Sequence, residues 1–431
     1  VRPVRETMGA IGGIKQLQGL MLVTFIVMMI AVPAYSALVA KLPRRWVVRL
    51  IYHFFSLSLL TFSLTLQSEW DALRIWSARV FFVWVNVFAL FATSVFWSVL
   101  ADLFTSNQGK RLFGAIAAGG TFGAISGSLL TSQIATSFST ASLLLLPIAT
   151  LQAGLWCAWR LEKQASRLTA LSDSESDAPE LQTATTGSTE EAGLTNHAHD
   201  TGDARTIKDA HGTKDVDKGS PTGGDWWAGV SRIFASPYLA SICVYLFFAQ
   251  TCGTQLYFQQ AEIVRAAVPI DAEKTQLFAY VDFGTQTLTL LVQILLASTL
   301  LRRFGMAIAL TTLPAAYVIA FGALSFHQAL PLLITAVIVT RATAYGVIVP
   351  AREVLFTVVS REDKYKSKSF IDTVVLRGGD ALAGQFFGML KNSVGLGLSQ
   401  LNFFALPVAA AWGWAGWRLG KRQAQLARQK E

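Results

Sequence analysis

Residues 112–159 read LFGAIAAGGTFGAISGSLLTSQIATSFSTASLLLLPIATLQAGLWCAW, and this stretch of 48 residues contains no acidic or basic side chain. About 20 apolar residues in a helix cross a bilayer core, and one helix of this length would extend for about 72 Å. The polar residues within 131–142 divide the stretch. We therefore predict two membrane helices joined by a turn, since a helix in lipid satisfies its own backbone hydrogen bonds.

Five further uncharged runs repeat this pattern, with lengths of 25, 22, 29, 37 and 26 residues. Their boundaries are, in order, Lys15 and Lys41, Arg79 and Asp102, Arg232 and Glu262, Arg303 and Arg341, and Lys391 and Arg418. Together with three further apolar spans (50–68, 275–300 and 369–390), the runs predict eleven transmembrane helices, at residues 14–40, 50–68, 78–101, 112–132, 140–160, 233–258, 275–300, 304–325, 329–351, 369–390 and 397–418. The predicted fold class is an all-α membrane protein.

The overall composition agrees with this class and argues against several others. Hydrophobic residues make up 52% of the chain and charged residues 15%, whereas soluble domains carry about 25% charged residues. The net charge of +9 comes from basic residues in short loops, which is typical of membrane topology rather than of nucleic-acid binding. The sequence has no phosphate-cradling loop, helix-borne metal box or nucleophile elbow. We predict no enzymatic activity, no cofactor, no metal site, no nucleic-acid partner and no obligatory protein partner.

Basic residues concentrate in every second loop, as the positive-inside rule describes for cytoplasmic loops. The basic segments are 41–49, 110–111, 160–167, 302–303, 352–368 and 418–430. We therefore predict a bacterial inner-membrane protein with these loops and the C-terminus in the cytoplasm. Eleven crossings would leave Val1 outside, and one more helix before Val1 would remove that difficulty.

Residues 161–225 differ sharply from the rest, because they contain no aromatic residue and are rich in polar side chains. Such a segment buries too little apolar surface to order itself. We predict a disordered cytoplasmic linker, and the alternative is a metal site built from His197, His199 and His211. The predicted domains are an N-terminal membrane half with helices 2–6 (1–160), the linker (161–225), a C-terminal membrane half with helices 7–12 (226–420) and a basic cytoplasmic tail (421–431).

The two halves repeat each other in order. Phe104-Thr105 precedes a basic loop and then Gly119-Gly120. Phe356-Thr357 likewise precedes a basic loop, seven residues longer, and then Gly378-Gly379. Repeated halves around a midplane site are a transporter architecture. In this register the span 233–258 has no matching helix in the first half. This again predicts a helix before Val1 and a total of twelve helices, six in each half.

Two loop and helix features carry a family resemblance. Basic turns occupy 41–49 and 302–305, and Gly119, Gly123 and Gly127 form a small-residue stripe that would let another helix approach closely. These features resemble the cytoplasmic loop and the glycine motif of the major facilitator superfamily, although the usual acid of the loop is absent here. The resemblance implies a 6+6 helix bundle that works by alternating access.

A narrower resemblance concerns charged motifs at the start and near the end of the chain. Arg2–Met8 is similar to the stretch that ends the first helix of bacterial and plastid ATP/ADP translocases. The motifs REDKYK, FID and RGGD within 361–380 are similar to a signature of their free-living bacterial relatives. The resemblance implies nucleotide exchange, with Arg2 and Arg5 facing bound phosphates.

Asp282 is an acidic residue inside an apolar span, where a charge is costly and usually functional. Gln286 and Gln293 follow it at spacings of four and seven and share its helix face. We interpret Asp282 as a proton or cation coupling site. The alternative is a carboxylate at the outer mouth that is held by Lys274.

Arg341 lies within a span after 37 uncharged residues, and its guanidinium fork suits anion recognition. The alternative is an interhelical ion pair with Asp282 or Asp380. Asp372, Arg377 and Asp380 lie on one predicted helix, and the spacing of three between Arg377 and Asp380 predicts that these two side chains pair.

Three further positions are candidates for the transport cycle. Arg79 and Asn86, seven residues apart, share one helix face, although Arg79 has the alternative of extending to the membrane interface. Asp102 and Glu353 lie near basic residues at predicted cytoplasmic helix ends, Glu353 beside Arg352. We interpret them as members of ion pairs that close an inner gate, and solvated loop charges are the alternative.

These observations predict a secondary transporter for a small, anionic solute, with nucleotide exchange as the sharpest candidate. The alternatives are a proton-coupled transporter of an unrelated metabolite or drug, and a non-transporting membrane scaffold. The candidate substrate-binding residues are Arg2, Arg5, Arg341, Arg377, Asn86 and Gln286. The candidate coupling and gating residues are Asp282, Asp380, Asp102 and Glu353.

Overall fold

The computed structural model describes residues 1–41, 44–103, 106–176, 236–297, 299–359, 367–368 and 370–429, and these residues are almost entirely helical with no strand among them. The α-helices are α1 (Arg2–Ile11), α2 (Gly13–Lys41), α3 (Arg44–Thr65), α4 (Asp71–Leu103), α5 (Ser106–Ile134), α6 (Leu145–Ser176), α7 (Pro237–Ala267), α8 (Asp271–Val292), α9 (Gly305–Phe326), α10 (Leu330–Thr343), α11 (Val349–Leu355), α12 (Leu376–Asn392) and α13 (Leu398–Arg428). Short π-helical turns at Gln293–Ala297, Leu300–Phe304, Ala344–Ile348 and Ile371–Val375 extend or join several of them.

The predicted all-α membrane class is confirmed. Each of the eleven predicted helices overlaps a helix of the structure. Among the described residues, eight stretches are long and apolar enough to cross a membrane: Gly13–Ala34, Val48–Thr65, Asp71–Trp97, Ser142–Leu161, Pro237–Ala267, Asp271–Leu296, Leu300–Phe326 and Leu330–Val358. The number of crossings, eleven here and twelve with a first helix, stays a prediction.

Two helices continue past their predicted ends. Helix α6 extends to Ser176 and α13 to Arg428, whereas we expected them to end near 160 and 418. In both places the added residues are rich in Lys, Arg, Gln, Leu and Ala, which have high helix propensity. The bilayer length therefore does not limit these helices. Most of the predicted linker, residues 177–225, lies outside the described residues.

Of the residues that the structure describes, 1–158 and 236–429 belong to one compact unit, the bundle, and 159–176 belong to another. Within the bundle the two sequence halves meet where α2 packs on α12 and α5 packs on α8. The largest apolar core lies mainly in the second half, around the fully buried Trp412, Tyr245 and Phe321. Leu17 of α2 also belongs to this core, so the first half contributes to it directly.

The glycine stripe of α5 has no close neighbour in the part of the chain that the structure describes. A Cβ atom at Gly119, Gly123 or Gly127 would have no other described atom within 4 Å. Close helix approach occurs instead at Gly346, where a Cβ would lie 2.6 Å from Val292 Cγ1. The backbone at Gly346 can therefore approach α8 only because this residue has no side chain.

Polar contacts close one end of the bundle, where α1 and α12 end and where α2 and α8 begin. Gln18 Nε2 donates to Gln385 Oε1 at 2.8 Å, and Gln385 Nε2 donates to the Gln18 carbonyl at 3.1 Å. Thr7 and Thr275 share a hydrogen bond of 2.8 Å between α1 and α8. Gln276 Nε2 donates to the Ser132 carbonyl at 3.0 Å. The two halves are thus joined at this end by side chains rather than by chain connections.

Candidate functional site

Five charged side chains from three helices meet inside the bundle. Helix α1 supplies Arg2, Arg5 and Glu6, α8 supplies Asp282, and α10 supplies Arg341. Arg341 lies 3.7 Å from Asp282 Oδ1 and 3.9 Å from Glu6 Oε1. Arg2 Nη1 lies 3.9 Å from Asp282 Oδ1. Because α1 belongs to the first half and the other two helices to the second, this cluster lies between the halves.

Arg341 is near the middle of the stretch Leu330–Val358. The Nη2 atom of Arg341 donates a hydrogen bond to Gln260 Oε1 at 3.1 Å. This is the one hydrogen bond that the Arg341 side chain forms with the described residues. Both carboxylates lie beyond hydrogen-bond distance. A guanidinium has five donors, so most of those of Arg341 remain available for the oxygens of a ligand.

The π-helical turn Ala344–Ile348 follows Arg341 directly and carries Tyr345. Arg2 Nη2 donates to Tyr345 Oη at 2.9 Å, and its guanidinium lies 5.9 Å from the centre of that ring. Such turns are rare within α-helices and often occur at functional sites. Here the extra residue places the tyrosine beside α1, and the side chain of Gln293 donates to the Tyr345 carbonyl at 3.3 Å.

Arg5 joins the cluster to the first half. Its Nη2 donates to Glu6 Oε1 at 2.6 Å, and its Nη1 donates to Asn86 Oδ1 at 3.3 Å. The guanidinium also lies 5.6 Å from the centre of the Phe82 ring on α4. Asn86 in turn donates to the Phe82 carbonyl at 3.0 Å, so its amide orientation is fixed with the oxygen toward Arg5.

A cavity of about 160 Å³ adjoins Arg5 and Asn86 and extends to α7 and α12. Arg377 and Asp380 line its other side, 3.7 Å apart, which confirms their predicted pairing. Asp380 Oδ1 accepts hydrogen bonds from Gln250 at 2.8 Å and Thr254 at 3.3 Å. The remaining lining residues are Met21, Thr24, Phe25, Phe82, Gly253 and Tyr257. The cavity therefore combines polar side chains of both halves.

The central cluster carries an excess of positive charge. Three guanidinium groups, from Arg2, Arg5 and Arg341, face the carboxylates of Glu6 and Asp282, which leaves one positive charge. Glu6 and Asp282 are only 2% and 4% exposed. Buried charges are tolerated when they are paired, and one of the three arginines has no carboxylate of its own in this cluster.

The structure brings most of the predicted substrate residues together, with one exception. Arg2, Arg5, Arg341 and Asn86 belong to the central cluster, and Arg377 lines the adjoining cavity. Gln286 is half-buried one turn from Asp282 and forms no hydrogen bond with a described residue. It therefore lies near the cluster in sequence without contributing a contact to it.

The predicted gating residues form different contacts from those we expected. Glu353 pairs with Lys368 at 2.7 Å rather than with Arg352, which instead pairs with Asp372 at 2.9 Å. Both pairs lie within the second half of the chain. The side chain of Asp102 lies outside the described residues.

Lys274 does not hold Asp282, because its ammonium pairs with Asp271 at 2.8 Å and also donates to the Pro269 carbonyl. This contact lies at the beginning of α8. The interpretation of Asp282 as a carboxylate held at the outer mouth by Lys274 is therefore wrong. Asp282 instead lies beside the arginines of the cluster.

Sequence reasoning missed several residues of this site. Glu6, Tyr345 and Gln260 contact the arginines directly, and Gln250 and Thr254 hold Asp380. Two of them had a usable signal. Tyr345 follows Arg341 by four residues and thus shares its face, and Gln260 belongs to a polar group in an otherwise apolar helix.

Comparisons with known proteins agree with the helical arrangement. A family model described as Major Facilitator Superfamily matches residues 6–376. The chain is similar to the crystal structure of a bacterial homolog of the human lysosomal transporter Spinster, in an inward-facing and unoccupied conformation, with a TM-score of 0.55, 14% identity, and coverage of 98% of this chain and 95% of that one. It is also similar to the nucleoside transporter NupG, with a TM-score of 0.53, 13% identity, and coverage of 96% and 90%. No protein of curated function matches the chain. At these identities the structural likeness concerns the fold alone.

Proposed function

This chain belongs to the Major Facilitator Superfamily, and from that premise we propose that it is a secondary transporter that moves a small anionic solute through the arginine cluster between its two halves. The family and the neighbouring transporter folds agree with a multi-pass membrane transporter rather than an enzyme. The anionic solute is our own inference. The observation that carries it is the unbalanced positive charge of Arg2, Arg5 and Arg341 against Glu6 and Asp282.

The distances within the cluster suggest how a solute would engage it. An ion pair at about 4 Å is worth about 4 kcal/mol at an effective dielectric constant of about 20, and Arg341 has two such neighbours. A phosphate or carboxylate oxygen at hydrogen-bond distance would lie closer to the guanidinium than either buried carboxylate does. We therefore propose that the solute replaces Glu6 and Asp282 as the main partner of Arg341.

This exchange of partners would connect binding to movement of the halves. Glu6 is on α1 of the first half, whereas Asp282 and Arg341 are on α8 and α10 of the second. Weakening the contact between Glu6 and Arg341 loosens one link between the halves. A second link between the halves is the pair of hydrogen bonds between Gln18 and Gln385 at one end of the bundle. These bonds must break when that end opens. Alternating access then requires both sets of contacts to change.

Nucleotide exchange is the narrower candidate within this class. Its support is the resemblance of Arg2–Met8 and the ability of guanidinium groups to bind phosphate oxygens bidentately. The excess of a single positive charge fits one phosphate or carboxylate group better than a triphosphate chain. A nucleotide therefore needs further cations, and Arg377 in the adjoining cavity would supply one only by leaving its partner Asp380.

Proton coupling through Asp282 is the second candidate, and the burial of that carboxylate favours it. Asp282 is 4% exposed, and its two arginine contacts at 3.7 and 3.9 Å are looser than hydrogen bonds. Protonation of Asp282 would release Arg2 and Arg341 toward a solute. In this alternative a proton accompanies the anion.

Binding of a metabolite panel to the purified full-length protein tests the proposed solute class. We expect phosphate esters or carboxylates to raise the thermal midpoint, because a ligand at about 100 times its Kd stabilises the native state by about 2.7 kcal/mol. The Arg341→Lys variant should lose most of this shift. A panel in which only neutral or cationic compounds stabilise the protein would rule out an anion carrier.

We also propose that the protein resides in a bacterial inner membrane, with residues 161–225, which include the end of α6, and the C-terminus in the cytoplasm. The basic loops support this orientation. A cysteine introduced at Ser174, in a variant without the three native cysteines, should react with an impermeant thiol reagent only after the cells are opened. Labelling in intact cells would reverse the orientation.

A further inference from the structure

A second cavity, distinct from the arginine cluster, lies in the first half between α2, α3 and α4. It is a groove of about 1320 Å³. Its lining extends from Gly12, just before α2, to Ala34 within α2, a distance of about 33 Å at 1.5 Å per residue. The groove therefore runs along the whole hydrocarbon core of a bilayer, which is about 30 Å thick.

The wall of this groove is apolar over most of its length. Its apolar side chains are Leu20, Val23, Val27, Leu50, Phe54 and Phe55. Val23 and Phe54 are 46% and 56% exposed, so they present a large surface without a partner among the described residues. At Gly19 a Cβ atom would meet no described atom within 4 Å, so the groove has room for a larger side chain at this position.

Two cations, Lys15 and Arg79, line one end of the groove beside Gln16 and Trp76. The Arg79 guanidinium lies 4.9 Å from the centre of the Trp76 ring, and its Nε is buried without a hydrogen-bond partner among the described residues. Among the described residues no acidic side chain lines the groove, and neither cation forms an ion pair there.

Two other cations at this end of the bundle are neutralised by acidic partners. Arg74 pairs with Asp71 at 2.7 Å, and Lys391 pairs with Glu262 at 3.0 Å. Lys15 and Arg79, by contrast, have no acidic partner among the described residues. Tryptophan and basic side chains are typical of the membrane interface, which places this end at headgroup level.

We propose that the groove binds one phospholipid with an anionic headgroup. Its acyl chains would lie along Leu20, Val23 and Phe54, and its phosphate would meet the end that carries Lys15 and Arg79. An anionic phospholipid matches the groove in this respect, because its charge is at one end and the rest of the molecule is hydrocarbon. Because no acidic residue is among the described lining residues, the counter-charge of both cations has to come from the occupant, and an anionic headgroup supplies it together with hydrocarbon chains.

Native mass spectrometry of the full-length protein from nanodiscs of equal phosphatidylglycerol and phosphatidylcholine content tests this site. We expect wild type to retain phosphatidylglycerol preferentially, and the Lys15→Gln/Arg79→Gln variant to lose this preference by about tenfold, since each basic group near an anionic lipid contributes. The Gly19→Leu variant fills the groove and should lower retention of both lipids.

Two controls separate lipid binding from folding and from bulk charge. The Lys15→Arg/Arg79→Lys variant keeps both charges and should retain the wild-type preference, and Arg74→Gln removes a cation outside the groove and should change nothing. The proposal is overturned if Lys15→Gln/Arg79→Gln retains phosphatidylglycerol like wild type, or if a second copy of the chain is retained instead of lipid. If the glutamine variant folds poorly, Gly19→Leu decides the question: lower retention of both lipids supports the site, and wild-type retention overturns it.

Discussion

Replacing Arg341 with alanine should abolish transport of the anionic solute. Its guanidinium is the group that lies near both buried carboxylates of the cluster, at 3.7 Å from Asp282 and 3.9 Å from Glu6. Without it, one positive charge of the binding site is lost and Gln260 loses its partner. The measurement is solute exchange by the variant in liposomes, compared with wild type at equal protein content.

The lysine variant separates charge from geometry. Arg341→Lys keeps the positive charge and loses the fork that binds two oxygens at once, so we expect transport to fall by more than tenfold. Arg74→Lys is the matched control, because that arginine pairs with Asp71 on the exposed surface and should transport normally. Wild-type exchange by Arg341→Ala would end the anion-site hypothesis.

Folding has to be measured alongside, because Arg341→Ala leaves the carboxylates of Asp282 and Glu6 with one partner fewer. Removing one partner of a buried ion pair costs about 3–5 kcal/mol. If the alanine variant folds poorly and Asp282→Asn restores its stability without transport, Arg341 serves both the site and the fold. If the double variant also restores transport, Arg341 is a structural ion-pair residue only.

Replacing Glu6 with glutamine should destabilise the protein strongly. Glu6 is 2% exposed, bonds Arg5 at 2.6 Å and lies 3.9 Å from Arg341. Its neutralisation leaves three arginines facing Asp282 alone. We expect a loss of about 3–5 kcal/mol in the free energy of unfolding, measured by denaturation in detergent and as a lower thermal midpoint.

A second carboxylate provides the control for Glu6. Glu262 pairs with Lys391 at 3.0 Å, where its side chain is 31% exposed, so Glu262→Gln should cost about 0–1 kcal/mol. Removing one arginine as well, in Glu6→Gln/Arg5→Gln, should restore part of the stability. Equal stability of Glu6→Gln and wild type would contradict the role of Glu6 as the anionic centre of the cluster.

Local features of the chain were sufficient to predict the membrane class, the family and the helices. A long uncharged run is stable in lipid as a helix, and the length of that helix can be compared directly with the thickness of the bilayer. The same local rule identified Arg341 and Asp282, because a charge within an apolar run is costly wherever its helix packs. Arg2 and Arg5 came from the resemblance of their motif to that of a known family.

The partners of these charges depended on the tertiary structure. The sequence left Arg341 with two possible acids, Asp282 and Asp380, and packing placed it near the first while Asp380 turned to Arg377 and Gln250. Glu6, from the opposite half of the chain, completed the cluster.

Periodicity along one helix states which residues share a face but not which helix that face meets. The same limit applies to the glycine stripe of α5, whose spacing predicted a close neighbour that the described residues do not provide. Sequence alone therefore determined that this protein lies in a membrane and which charges must find partners there. Only the packing of α1 against α8 and α10 decided that three arginines and two carboxylates meet at one place, because rotation and neighbours of a helix are set by contacts distant in sequence.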